Sequence, residues 1–245
     1  RIHLHFAPMT EREDIHAVVR RGDGTVLERL LYLSPAMLEK PRQRDGLTPL
    51  LLAVECGNAD IITQLLAYKP CLSAAAKKTG WTVFHAAANL GADSTLCALV
   101  EACRDEQEAA TELSRPAAGG MTPIMVACVA GHVSTVRLLV ETHGVSEVGK
   151  NDMGDTPLHL CSFWGHLSVV EYFLGGADAT PAGVVKVDIR APNMHGNHPA
   201  HRAASRGHHA ICNLLALRGA NMLAINLEGQ TPIDVSPVDT IKGFS

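Results

Sequence analysis

Five histidines between positions 195 and 209 and seven cysteines spread along the 245-residue chain are the side chains best equipped for chemistry. His195, His198, His201, His208 and His209 include spacings of three that zinc could accept, but no Cys or carboxylate completes a ligand set beside them. The cysteines stand at 56, 71, 97, 103, 128, 161 and 212, an odd number with no paired CxxC framework. Reduced thiols are therefore expected, with Cys128 and Cys161 as small buried hydrophobes and not as nucleophiles. No Gly-rich phosphate loop follows a strand pattern, and no Ser/His/Asp set has a sheet to hold it. The residue types thus predict no catalytic residue, no metal and no cofactor, so the elements that would position these side chains carry the next step.

Those elements repeat. A short helix-start signature returns as Thr48-Pro49-Leu50, Thr82-Val83-Phe84-His85, Thr122-Pro123-Ile124, Thr156-Pro157-Leu158-His159, His198-Pro199-Ala200-His201 and Thr231-Pro232-Ile233. Successive first residues lie 34, 40, 34, 42 and 33 apart. Thr at the N-cap offers its hydroxyl to orphan amides of the first turn, and Pro at the next position lacks the amide that would go unpaired anyway. His85, His159 and His201 stand where a side chain can bond back to the cap residue, as the Glu of a capping box does. Leu51, Met125 and Asp234 replace that His elsewhere.

Nine residues after each of the first five signatures comes Gly57, Gly91, Gly131, Gly165 or Gly207, the spacing of a two-turn helix ended by a left-handed Gly. Three of these glycines precede His132, His166 and His208, and a second apolar set follows at helical spacing, as in Val169, Val170, Phe173 and Leu174. Each unit reads as helix, turn, helix, loop. The histidines of the 195–209 stretch then have structural places: His198 in the N-cap slot, His201 in its partner slot, His208 in the turn. Residues 11–44 lack Thr-Pro but keep the two-helix spacing of Ile15, Val18, Val19, Gly22, Val26, Leu27, Leu30 and Leu31. At the other end Pro237 falls inside what would be a first helix, so the last unit is expected to be a half-repeat or cap.

A period near 33 carrying Thr-Pro-Leu-His and a Gly-His turn resembles the ankyrin repeat. The resemblance implies an all-α solenoid of about seven helix-turn-helix-loop repeats with degenerate terminal caps, in one domain over 1–245. Its units would be 11–44 (degenerate), 45–78, 79–118 with an insertion, 119–152, 153–194 with an insertion, 195–227 and a partial 228–245. In the insertions, Glu101 to Leu113 has strong helix propensity and predicts an extended second helix, stopped before Pro116. Val184, Val185, Val187 and Ile189 alternate with charged residues and predict a short extended hairpin.

The resemblance also implies function. Ankyrin-repeat proteins usually meet partners on the loop fingertips and the exposed face of the first helices. Carried onto this chain, those positions give Leu47, Lys78, Trp81, Leu90, Met121, Val129, Met153, Asp155, Phe163, Trp164, Asn197 and Arg206 as candidate partner contacts. Trp81 and Trp164 would lie two repeats apart on one concave surface, within reach of one extended segment, with an aromatic centre and a charged rim. The expectation is a module that binds a protein or peptide. The alternative is a regulatory or targeting domain of a larger enzyme or membrane protein, and a chain beginning at Arg1 instead of Met reads as a piece of something longer.

A net charge of −4 lacks the basic surplus that nucleic acid attracts. No hydrophobic run reaches the ~18 residues of a membrane span, and no signal peptide opens the chain. A monomeric domain in the cytoplasm or nucleus is expected.

Overall fold

The computed structural model describes residues 14–175 and 187–237. Among the described residues the secondary structure is helical, with no strand. Packing divides the chain into two compact units, Arg1–Val83 and Phe84–Ser245.

The first unit holds α1 (Ile15–Arg21), α2 (Gly24–Leu33), α3 (Pro49–Glu55) and α4 (Ala59–Ala67). Here two helices form without Thr-Pro because Asp14 and Asp23 take over the N-caps, accepting from the amides of His16 and Val26. Gly22 turns between them at φ 72°. Ile15, Val18, Val19, Leu27, Leu31, Leu50, Ile61 and Leu65 are buried together as the core. At α3 the Thr48 hydroxyl accepts from Leu51 N at 3.3 Å, as the signature requires.

In the second unit α5 (Val83–Leu90) begins at the division, and α6 (Asp93–Glu101) and α7 (Glu106–Ser114) follow. Then come α8 (Pro123–Ala130) and α9 (Val133–Arg137), which runs on into a π-helical segment over Leu138–Thr142. The rest is α10 (Pro157–Trp164), α11 (Leu167–Phe173), α12 (Pro199–Ala204) and α13 (His209–Leu217). The first helices α8, α10 and α12 pack side by side, with Ala127, Leu158 and Ala203 buried in their layer.

Local structure departs from expectation at the insertion after Glu101 and at Thr122. The insertion after Glu101 is not an extension of α6: the chain breaks, and Asp105 caps the separate helix α7 by accepting from Glu108 N at 2.8 Å. An N-cap residue inside a stretch of high helix propensity starts a new helix. Of the expected hairpin, residues 184–186 lie outside the described residues, and Val187–Arg190 form loop and turn, where Asp188 accepts from Arg190 N at 2.9 Å. Thr122 holds the N-cap of α8 but makes no side-chain cap bond. The last signature makes turns over Pro232–Ser236 in place of a helix, with Thr231 and Asp234 bonded to each other.

Histidines couple the repeats of the second unit. At the start of α10 the Thr156 amide donates to His159 Nδ1 at 3.2 Å, so the ring proton sits on Nε2, which donates to the Asn197 carbonyl of the next repeat at 3.0 Å. His201 does the same, taking the His198 amide on Nδ1 and reaching the Gln230 carbonyl at 3.0 Å. His85 Nε2 meets the Met121 carbonyl at 3.0 Å. The turn histidines reach the other way: His132, His166 and His208 contact the carbonyls of Asn89, Val129 and Phe163 at 2.9, 2.8 and 3.1 Å. Those carbonyls lie at helix C-termini, where the chain itself supplies no partner.

Two predictions follow from this lacing. Gly165 lies at φ 83°, and a Cβ there would stand 2.5 Å from the His208 ring. Gly165→Ala should therefore cost more than the ~1 kcal/mol of a left-handed non-Gly residue alone, read as a lower denaturant midpoint. Burial lowers the pKa of His85 and His201 and brings His159 from 6.5 to about 4. These rings are neutral when folded and take up protons on unfolding, so their stabilisation is complete above about pH 6.5 and is lost as pH falls toward 4. Denaturant midpoints should drop between pH 7 and pH 5, and His159→Gln should remove on the order of 1 kcal/mol of that drop.

Candidate partner-binding surface

Two residues precede each turn glycine, and the structure sorts them. In α5 they are Asn89 and Leu90, in α8 Val129 and Ala130, in α10 Phe163 and Trp164, and after α12 Ser205 and Arg206. The second of each pair lies outermost except for the half-buried Ala130: Leu90 is 44% and Trp164 51% exposed, and Arg206 is exposed. The structure thus puts Leu90, Val129, Phe163, Trp164 and Arg206 at equivalent helix ends of successive repeats. Ala130, at this position of the repeat before Trp164, offers only a methyl group.

Phe163 is the centre of this row. The guanidinium carbons of Arg202 and Arg206 lie 4.1 and 4.3 Å from its ring centroid, and Trp164 meets it edge-on at 5.5 Å. Arginine over an aromatic face gains from the ring quadrupole while keeping its N–H groups free around the rim. The Phe163 carbonyl accepts from His208, so the backbone beneath the ring is held as well.

Arg202 and Arg206 differ in role. Arg202 Nη2 donates to the buried Asp155 carboxylate at 3.1 Å, and Asp155 also accepts from Asn193 Nδ2 at 2.7 Å. Arg206 is exposed and has no carboxylate partner among the described residues. Residues four apart at a helix end share one side, where like charges repel, so the ion pair of Arg202 with Asp155 relieves the crowding and leaves one guanidinium uncompensated.

The fingertip loops are built on one device. Asn151, Asn193 and Asn226 each accept with their side-chain oxygen from two amides further along the loop, as in Asn193 with His195 and Asn197. Neighbouring tips are joined by Asp152 N to Gly119 O, Met194 N to Met153 O and Leu227 N to His195 O, each at 3.0 Å. Rigid tips present Met153 and Met194, 50% and 66% exposed.

Several expected contacts have other places. Leu47 is buried, with its carbonyl 3.1 Å from His16 Nε2, so its side chain offers nothing to a partner. Asp155 is 2% exposed and fully engaged internally. Met121 and Asn197 are half-buried, and their carbonyls take the bonds from His85 and His159. Lys78 is exposed and Trp81 half-buried in the loop closing the first unit, where the Trp81 carbonyl accepts from Ala76 N at 2.9 Å. Arg202 was missed. Its column, one residue past the His slot, reads Leu52, Ala86, Val126, Leu160 and then Arg202, and a charge in an apolar column was the available signal.

Cys128 and Cys161 are fully buried, and burial pushes both thiols well above their ordinary range, which removes the nucleophilic thiolate. Among the described residues no three or more His, Cys, Asp or Glu side chains could hold a metal ion.

Helix pair, Gly-His turn, capping histidine and stacked fingertip are together the build of an ankyrin repeat. The family model for Ankyrin repeats (3 copies) matches residues 15–108 and 99–182, and the Ankyrin repeat model matches 195–227. The chain belongs to the ankyrin-repeat family. It is 32% identical over 129 residues to Alpha-latrotoxin-Lt1a of Latrodectus tredecimguttatus, covering 52% of this chain and 8% of the toxin. It is 31% identical over 129 residues to Alpha-latrotoxin-Lhe1a of Latrodectus hesperus, with the same shares. The chain thus spans less than a tenth of the length of these curated relatives. The crystal structure of the ankyrin repeat domain of Bcl-3, described as a unique member of the IkappaB protein family, is similar over 95% of this chain and 97% of that one. Its TM-score is 0.74 at 22% identity, a likeness of fold. Ankyrin repeats are generally protein–protein interaction modules and typically lack enzymatic activity.

Proposed function

We propose that this chain binds a partner protein or peptide through the exposed ends of its first helices and the adjoining fingertips, without catalysis and without a cofactor. The observation that carries the reading is Trp164, half exposed at the end of a helix whose other residues through Ser162 are buried. A large aromatic ring kept in water on a rigid, hydrogen-bonded frame is the kind of residue that dominates binding energy when a partner covers it. Preorganisation helps, because a surface already ordered loses little entropy on association. Leu90, Val129, Met153, Phe163 and Arg206 belong to the same proposed surface. Lys78 and Trp81 form a separate candidate in the first unit. The partner is proposed to be neither nucleic acid nor membrane, in keeping with the net charge of −4 and with the absence, among the described residues, of a helix long and apolar enough to cross a bilayer. A monomer in the cytoplasm or nucleus completes the reading.

A second reading is favoured by the length of the relatives. The matched toxins devote only 8% of their length to the shared region. By analogy this segment would serve as the regulatory or targeting part of a larger protein, which employs the same surface.

The test is a pulldown from native extract with the wild-type chain and with Trp164→Ala and Trp81→Ala, followed by affinity measurements on the proteins lost from a variant. Trp164→Ala should weaken binding by about 2 kcal/mol, the size of a hot-spot truncation, while leaving the unfolding midpoint within about 1 kcal/mol of wild type. Marked unfolding by Trp164→Ala, or undiminished affinity, overturns the reading.

A further inference from the structure

The partner-binding surface carries a chemical preference that the repeat framework does not require. Arg206 is exposed, stacked 4.3 Å above the Phe163 ring, and has no carboxylate among the described residues. Arg202 lies 4.1 Å from the same ring, but its Nη2 is given to buried Asp155 and its Nε is buried without a partner. Arg202 is therefore a positioning residue: anchored by Asp155, it holds the Phe163 ring in place. Arg206 gains a flat, apolar seat on that ring and keeps the outer edge of its guanidinium in solvent. Trp164 stands edge-on to the same ring at 5.5 Å and is half exposed. One uncompensated, preoriented guanidinium thus sits beside one uncovered indole.

Resting on the function proposed above, we propose that the Phe163–Trp164–Arg206 cluster recognises a peptide segment carrying an Asp or Glu two residues from a large apolar side chain. The planar guanidinium offers parallel N–H donors that match the two oxygens of a carboxylate, and its stacking on Phe163 removes much of the ordering cost of using them. The apolar side chain covers Trp164. The spacing follows from the ring between them, since Arg206 and Trp164 both abut Phe163. In an extended peptide, residues two apart project to one side about 7 Å from each other, within the ~10 Å that distances of 4.3 and 5.5 Å to the Phe163 centroid allow between the two groups. A basic peptide would bring a second cation to an already uncompensated one and is rejected.

The experiment is selection from a display library of random peptides on the folded wild-type chain, with Trp164→Ala and Arg206→Glu as parallel baits. Unfolding midpoints are taken on all three. Wild type should enrich peptides with an acidic residue two positions from Leu, Phe, Trp or Met. For one such synthetic peptide, Arg206→Ala should lower affinity about tenfold and Trp164→Ala at least as much, as truncated hot spots do. The isosteric Asn or Gln version of that peptide should lose affinity to a similar extent, and raising salt should weaken only the acidic version. Arg206→Lys should recover part of the loss, since charge returns without the planar fork. Peptides that depend on Trp164 but are neutral or basic, or that bind Arg206→Glu unchanged, overturn the acidic preference and leave the binding function standing. Selection of no Trp164-dependent peptide overturns the preference too, and the pulldown then decides the broader function separately.

Discussion

The structure of the second unit depends on a neutral, buried imidazole spanning two repeats. Stacked helix pairs of this size share only narrow strips of apolar surface, and Ala86, Ala87, Ala88, Ala203 and Ala204 fill them with small side chains. Small contacts leave the relative height and rotation of neighbouring repeats weakly specified. A histidine fixes both, because it accepts an amide at its own helix start and donates to a carbonyl of the next repeat, as His159 does with Thr156 and Asn197. Each such bond contributes roughly 1 kcal/mol net, modest in energy but directional. It works only while Nδ1 is unprotonated, which burial secures.

The turn glycines answer the reverse bonds. His132, His166 and His208 must come within hydrogen-bonding distance of carbonyls at the ends of α5, α8 and α10. Their rings pass directly over Gly91, Gly131 and Gly165, so close that an added Cβ would stand 2.7, 2.4 and 2.5 Å from ring atoms. Glycine is needed there for its left-handed φ and for the space above it. The Gly-His dipeptide of one repeat thus serves two neighbours: its Gly admits the ring of the repeat that follows, and its His satisfies the helix end of the repeat before.

This division explains what could be read from the chain beforehand. Helix starts, turn glycines and apolar columns follow from local rules, so the two-helix units, including the one without Thr-Pro over Ile15–Leu33, were legible. Asp105 acting as a cap was written in the sequence but outweighed by the helix propensity on both sides of it. The surface was legible only as positions. Trp164 and Phe163 could be placed at a helix end by counting, but the seating of Arg202 and Arg206 on one ring depends on side chains from another repeat, about forty residues away, which no local pattern encodes. The burial of Leu47 and Asp155 has the same origin: their column is buried or half-buried in every repeat, according to what the neighbouring element brings against it.

Departures from the framework therefore deserve to be read as pairs. Asp155 and Arg202 occupy columns that are otherwise mostly apolar or neutral, and the buried Asp155 charge left without its half-buried partner would be strongly destabilising. Together, with Asn193 taking the remaining carboxylate oxygen, they neutralise one another and satisfy the Asp155 carboxylate. A partly buried ion pair of this kind adds little net stability over apolar side chains of the same volume. What it adds is position: it ties a fingertip base to the following first helix and sets Arg202 against Phe163. The histidines hold the repeats in register along the second unit, and this one pair, set within that register, fixes the aromatic seat on which an exposed arginine rests.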